Sequence, residues 1–242
     1  MRFFITSAIA LIYLFGLPRP GSAEISTAEI KKLALEAIIE KPEIIRQAID
    51  LLRQRDADKA AVQAQSVIEK QRNLLERDPN APVIGNAEGD VTVVEFFDYN
   101  CPYCKRAWAE LNDVMALDEG VRVVLREWPI LGEASVYATR ASLASRNQGK
   151  YTAFHNALMA AKGRLQPASV LAIAKTVGLD TAQLQRDMKA ASVTAHIETS
   201  MQLAQALNFT GTPAYLIGDT LAPGMVQAVD LLEIVEQART KQ

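Results

Sequence analysis

Cys101 and Cys104 are the only two cysteines of this 242-residue chain, and they stand three apart as Cys101-Pro102-Tyr103-Cys104. An apolar run, Val91 to Phe97, leads into the pair, and a helical pattern, Lys105 to Leu117, leads out of it. This order predicts a strand, a turn carrying the cysteines, and a helix with Cys104 in its first turn. Pro102 suits the first helical position, where no amide donor is required. The free N–H groups and partial positive charge of the helix start then face the Cys101 sulfur and favour its thiolate. Such a thiolate attacks a disulfide or takes electrons from a dithiol, and the more buried Cys104 resolves the mixed disulfide. The other readings of the pair are a structural disulfide and half of a metal site. A loop this short constrains little chain entropy. Zinc asks for four ligands, and the remaining His155 and His196 lack the close spacing of a zinc finger. Each is expected as a surface or packing histidine, and no metal site is predicted.

Glu95 is the second residue with chemical potential. In a strand it shares one face with Val91, Val93 and Phe97. A carboxylate amid apolar neighbours is costly unless it has a partner or a task. Six residues before Cys101, it can accept or relay the proton of Cys104 through water. The competing reading is a part-exposed strand residue or an ion-pair partner. Asp98 falls on the opposite face and is the weaker candidate. Further on, Thr210-Gly211-Thr212-Pro213 precedes an apolar stretch, Ala214–Ile217. A proline at a strand start leaves an approach open for another chain. A cis bond there would turn the Thr212 backbone toward a bound peptide, while a plain turn is the alternative.

The elements that must position these residues follow from pattern. Val91–Phe97, the helix from Pro102 to Leu117 and a second strand, Val121–Trp128, imply parallel pairing through a crossover. Residues 132–207 read as helices at Ser135–Arg146, Lys150–Ala161, Pro167–Val177, Thr181–Ala190 and Val193–Leu207. Ala214–Ile217, a turn at Gly218-Asp219 and Leu221-Ala222 form a hairpin, and Val226–Arg239 closes the chain as a helix. Residues 24–80 differ: they are polar and contain neither glycine nor aromatic residues. Ser26 or Thr27 can cap a helix there, and Pro42 opens a second one. Ile30, Leu33, Ala37 and Ile38, then Ile45, Ile49 and Leu52, make a sparse apolar stripe, resumed by Val67, Ile68, Leu74 and Leu75. Such helices bury little by themselves, so self-association is the first reading, and docking on the domain or simple mobility the alternative. Asp78–Pro82 reads as a linker.

Arg2, the apolar run Phe3–Leu17, the breaks at Pro18 and Pro20, and Gly21-Ser22-Ala23 predict a secretory signal peptide over residues 1–23, with an uncleaved anchor as the alternative. Export implies an oxidising compartment. A formal net charge of −2 with no basic stripe argues against a nucleic-acid partner.

The segment Glu95-Phe96-Phe97-Asp98-Tyr99-Asn100-Cys101-Pro102-Tyr103-Cys104, with Thr210-Gly211-Thr212-Pro213-Ala214 downstream and Pro223-Gly224 before the last helix, resembles the DsbA family of exported thiol–disulfide oxidoreductases. The resemblance covers residues 83–242. It implies an α/β thioredoxin fold with a helical domain inserted at about 132–207, the domain as a whole running over 81–242. It implies Cys101 as nucleophile, Cys104 as resolving thiol, Glu95 as buried acid and Pro213 as cis-proline, with Thr212 beside the substrate. No cofactor is implied beyond the Cys101–Cys104 dithiol/disulfide. Archetypal members carry histidine at the position of Tyr103, so a less oxidising pair is expected. The extension over 24–80 looks like the ScsC branch, in which such segments bring catalytic domains together. This implies a homo-oligomer through residues 24–75 that isomerises or reduces disulfides in secreted proteins, kept reduced by a membrane redox partner in the periplasm. A monomeric dithiol oxidase is the first alternative. A Cu(I)-handling protein is the second, although no additional Met/His/Cys cluster supports a copper site.

Overall fold

The computed structural model describes residues 26–241; the leader read over residues 1–23 lies outside them. The chain divides after Arg55 into two compact units.

The first unit holds helix α1 (Thr27–Glu40) and the start of α2 (Glu43–Arg77). The Ser26 hydroxyl caps α1 by accepting the Glu29 N–H at 3.2 Å. Lys41 and Pro42 separate the helices, and the Pro42 carbonyl accepts the Ile45 N–H. No residue of α1 is buried. Ile30, Leu33, Ile45, Ile49 and Leu52 are all exposed.

The second unit begins at Asp56, within α2, rather than at residue 81 where the composition changes. The reason is packing: Ile68 and Leu75 of α2 are completely or almost completely buried, in one apolar cluster with Val94, Phe96, Leu203, Leu207 and Phe209. The residues read as a linker are likewise tied down. The fully buried Arg126 pairs with Asp78 at 2.7 Å and donates to the Leu74 carbonyl. Arg146 reaches the Asn80 carbonyl at 2.5 Å.

After α2 come β1 (Val83–Gly85), β2 (Val91–Phe97), α3 (Pro102–Leu117) and β3 (Val121–Glu127). Helices α4 (Glu133–Ala144), α5 (Tyr151–Ala160), α6 (Pro167–Thr176), α7 (Thr181–Asp187) and α8 (Ala191–Ala206) follow, with a short 3-10 turn at Ser145–Gln148. Strands β4 (Ala214–Ile217) and β5 (Thr220–Pro223) and helix α9 (Ala228–Thr240) end the unit. The sheet order is β1-β3-β2-β4-β5. β2 and β3 run parallel, Val93 beside Val123, as the crossover requires, and the other pairs are antiparallel. β1 has no counterpart in the sequence reading, because three residues cannot display a period. Gly218, with φ of +57°, makes the tight β4–β5 turn and leaves only 3.0 Å between a hypothetical Cβ and that of Ala238.

Alternation along β2 divides the core. Val91, Val93 and Phe97 face a cluster that includes both cysteines, Leu111 of α3, Phe154 of α5 and Leu231 of α9. Val94 and Phe96 face the cluster built on α2 and α8. Every residue of β2 and β3 is buried, as expected for central strands covered on both faces.

Candidate active site

Cys101 is the N-cap of α3, in extended conformation (φ −77°, ψ 117°), with Pro102 opening the helix. Its sulfur accepts the Cys104 N–H at 3.4 Å, and its thiol reaches the Thr212 carbonyl oxygen at 3.3 Å. Both cysteines are free thiols. Cys101 retains 5% exposure and Cys104 none. This asymmetry separates their chemistry. Hydrogen bonds from the Cys104 thiol and N–H and from the Tyr103 N–H outweigh the opposing burial and bring the Cys101 thiol down to about 6. Burial, the hydrogen bond to Cys101 and the charge of Glu95 push the Cys104 thiol far up. At neutral pH the first sulfur is ready to attack, and the second needs a proton acceptor before it can.

Glu95 is wholly buried on the cysteine side of β2, without hydrogen-bond partners for either carboxyl oxygen. Burial, helped by the negative charges of Cys101 and Glu127, raises it to about 8, while Tyr215 acts in the opposite sense. A carboxyl that holds its proton near neutrality is matched to proton exchange with a buried thiol. The Thr212–Pro213 peptide is cis. Gly224, at the end of β5, donates its N–H to the Pro213 carbonyl at 2.9 Å and so joins the hairpin to this loop. Tyr103 is 55% exposed, and the Arg106 guanidinium stacks 4.5 Å from its ring centroid. The structure thus brings Cys101, Pro102, Tyr103, Cys104, Glu95, Thr212 and Pro213 into one region, from two stretches over a hundred residues apart.

Three flanking residues, two of them without a signal in the local sequence pattern, join the site to the helical insert. Asp98 accepts the Asn100 N–H at 2.7 Å with one carboxylate oxygen and the Leu131 N–H at 2.9 Å with the other. Asn100 accepts the Leu165 N–H at 2.6 Å and donates to the Ser135 hydroxyl at 3.2 Å. Lys105 donates to the carbonyls of Ala161 (2.5 Å) and Gly163 (3.0 Å), and burial lowers its pKa. Each ties a residue next to the cysteine pair to the helical insert or its leading loop. The Asp-x-Asn spacing, a turn-forming pattern, was the one available signal.

The two histidines are core residues, not surface ones. His155 stands among Phe97, Tyr99, Trp108 and Tyr151, with ring centroids 4.3–5.7 Å away. Burial lowers it to about 3, so it is neutral. His196 meets Glu127 at 2.6 Å, both fully buried, and Glu127 also accepts the Tyr151 hydroxyl at 2.5 Å. Among the described residues no cluster of His, Cys, Asp or Glu is arranged to hold a metal.

A parallel β2–α3–β3 unit continued by the β4–β5 hairpin and α9, with cysteines at the start of α3 and a cis-proline loop alongside, defines a thioredoxin fold, here with α4–α8 inserted between β3 and β4. The chain belongs to the DSBA-like thioredoxin domain family, whose model matches residues 92–236. It is similar to a thioredoxin-like oxidoreductase from Silicibacter pomeroyi DSS-3, at 60% identity and a TM-score of 0.69, over 70% of this chain and 98% of that one. It is also similar to ScsC of Proteus mirabilis in a transitional conformation, at 30% identity and a TM-score of 0.69, over 89% of this chain and 97% of that one. Among curated proteins it matches the Na(+)/H(+) antiporter NhaA 1 of Mycobacterium sp. (strain KMS), 26% identical over 177 residues; the match takes in 71% of this chain but only 28% of the antiporter.

Proposed function

We propose that this chain is an exported thiol–disulfide oxidoreductase that isomerises or reduces disulfides in secreted proteins, with Cys101 as nucleophile and Cys104 as resolving thiol. The observation that carries this reading is the Cys101 sulfur, held at the start of α3 between the Cys104 N–H and the Thr212 carbonyl. The cycle runs on the Cys101–Cys104 dithiol, with Glu95 as proton acceptor and an outside reductant to restore the pair. The Cys101 thiolate attacks a substrate disulfide, one substrate sulfur leaves as thiolate, and a mixed disulfide forms. Cys104 yields its proton to Glu95 and attacks Cys101, which releases the reduced substrate and leaves Cys101–Cys104 oxidised. A membrane redox partner then restores the dithiol. Run without net oxidation, attack by Cys101 followed by its displacement by a different substrate thiolate reshuffles wrong disulfides.

Two observations favour reshuffling over oxidation. A Cys101 pKa near 6 stands closer to the thioredoxin value of about 7 than to the value of about 3.5 of a strongly oxidising pair. The first unit also exposes Ile30, Leu33, Ile45, Ile49 and Leu52. Covering them by self-association would gather several Cys101 sites around one misfolded substrate and raise their effective concentration. Residues 1–23 supply the reading of export, and the similarity to ScsC and to a periplasmic thioredoxin-like protein of Salmonella enterica supports the periplasm.

The test measures solution mass by light scattering and assays the same sample on scrambled and on reduced ribonuclease. An oligomer that repairs the scrambled substrate supports the proposal. A monomer that only oxidises the reduced substrate selects the dithiol-oxidase reading. Stoichiometric Cu(I) binding without turnover would select the metal-handling one.

A further inference from the structure

Among the buried polar groups that the cycle leaves without a role, one lies beside Glu95. Tyr215 on β4 lies directly opposite Glu95 on β2. Paired positions on antiparallel strands share a face, with Cβ atoms about 4.5–5.5 Å apart. Both side chains are completely buried, and Tyr215 belongs to the same cluster as Cys101 and Cys104. The Tyr215 hydroxyl and both Glu95 carboxyl oxygens are buried without a geometrically formed hydrogen bond to any partner. A phenol buried without a partner is worse than a phenyl ring, so its oxygen calls for a task.

We propose that Tyr215 is a positioning residue for Glu95, its hydroxyl aiming the carboxyl at Cys104 and donating to the carboxylate when Glu95 has lost its proton. The inference rests on Glu95 being the proton acceptor of Cys104. In the mixed disulfide Cys101 carries no charge. The Cys104 S–H bond breaks and a Glu95 O–H bond forms. The Cys104 sulfur lone pair makes the bond to the Cys101 sulfur, the bond to substrate breaks, and the substrate sulfur leaves with the electron pair and is protonated by water. The step requires Glu95 to begin as carboxylate. The groups that act on it are Cys101 and Cys104 from α3, Glu127 from β3 and Tyr215 from β4, while Glu110 of α3 acts in turn on Tyr215. Negative charge on the cysteines and on Glu127 favours the protonated acid, and the phenolic donor alone favours the carboxylate.

The test is the pH dependence of the resolving step, followed as release of a thiol leaving group from the preformed mixed disulfide of the full chain. Tyr215→Phe is expected to move the rise of this rate to higher pH and to slow it at pH 7 by roughly three- to tenfold, the equivalent of half to one pH unit. The melting temperature should hold or rise, because the lost hydroxyl has no other partner. In a Glu95→Gln background the same substitution should add nothing. An unchanged pH profile in Tyr215→Phe overturns the proposal. So does a fold lost on removing this hydroxyl, which would make it structural. Glu95→Gln separates the two ideas: an unchanged resolving rate rejects the role of Glu95 itself, whereas a slowed rate beside a normal Tyr215→Phe rejects Tyr215 alone.

Discussion

The Cys101 thiol touches the carbonyl oxygen of Thr212, 111 residues further along the chain, at 3.3 Å. On the proposed cycle, a substrate sulfur joined to Cys101 would enter beside the loop that opens β4, where Pro213 has no amide donor. Strand pairing creates this neighbourhood: Phe96 sits opposite Ala214 in the β2–β4 register, so the end of β2 and the start of β4 arrive together.

The division of labour between the sulfurs predicts different failures. Cys101→Ser should reduce thiol exchange to background. Cys104→Ser should retain attack but stall as mixed disulfides, visible as shifted bands on non-reducing gels. Full exchange by Cys101→Ser would reject the nucleophile assignment.

Ultraviolet thiolate absorbance of the reduced protein should show a first transition near pH 6, from Cys101. Because the Cys104 thiol is the leading cause of that lowering, Cys104→Ala should move the transition upward. The linked stability has a definite sign. The Cys101 pKa is depressed in the folded state from the ordinary 9.0, so its contribution is complete above pH 9 and is lost as the pH falls through about 6. Melting temperatures of reduced minus oxidised protein should decline over that window.

Glu95 carries the opposite sign. Its pKa is raised from 4.5 to about 8 by burial, so holding it protonated costs stability increasingly as the pH rises from 4.5 through 8. Glu95→Gln should stabilise the protein at pH 7 by about 3 kcal/mol and lose that advantage toward pH 4. Resolution by Cys104 should slow in the same variant. Denaturant titrations at several pH values, paired with exchange rates, check both; a Glu95→Gln protein less stable at pH 7 would contradict the assignment.

Truncation should distinguish the two parts of α2. Removing residues 26–55 should lower the assembly mass and the repair of scrambled ribonuclease while leaving a folded catalytic unit. Removing residues through 75 should also destabilise that unit, since Ile68 and Leu75 lie in its core. Leu75→Ala alone should cost about 2–5 kcal/mol. An unchanged mass for the shorter deletion would end the self-association reading.

Much of the site was legible in local pattern. The CxxC spacing, the apolar strand before it and Pro102 at the first helical position define the start of α3 from neighbours within one turn, because capping and hydrophobic period are short-range effects. Glu95 stood out for a related reason, a carboxylate breaking an apolar face. The parallel β2–β3 pair followed from the length of its crossover. Tertiary packing decided what depends on distant partners. Nothing near Asn100 or Lys105 announces Leu165, Ala161 or Gly163. Nothing near Asp78 announces the buried Arg126, and Ile68 and Leu75 looked no different in sequence from the exposed Ile45 and Leu52. The pairing of Tyr215 with Glu95 exists only because β4 lies against β2 in one register, and a side chain's partner across a sheet is set by that register rather than by its own neighbours in the chain.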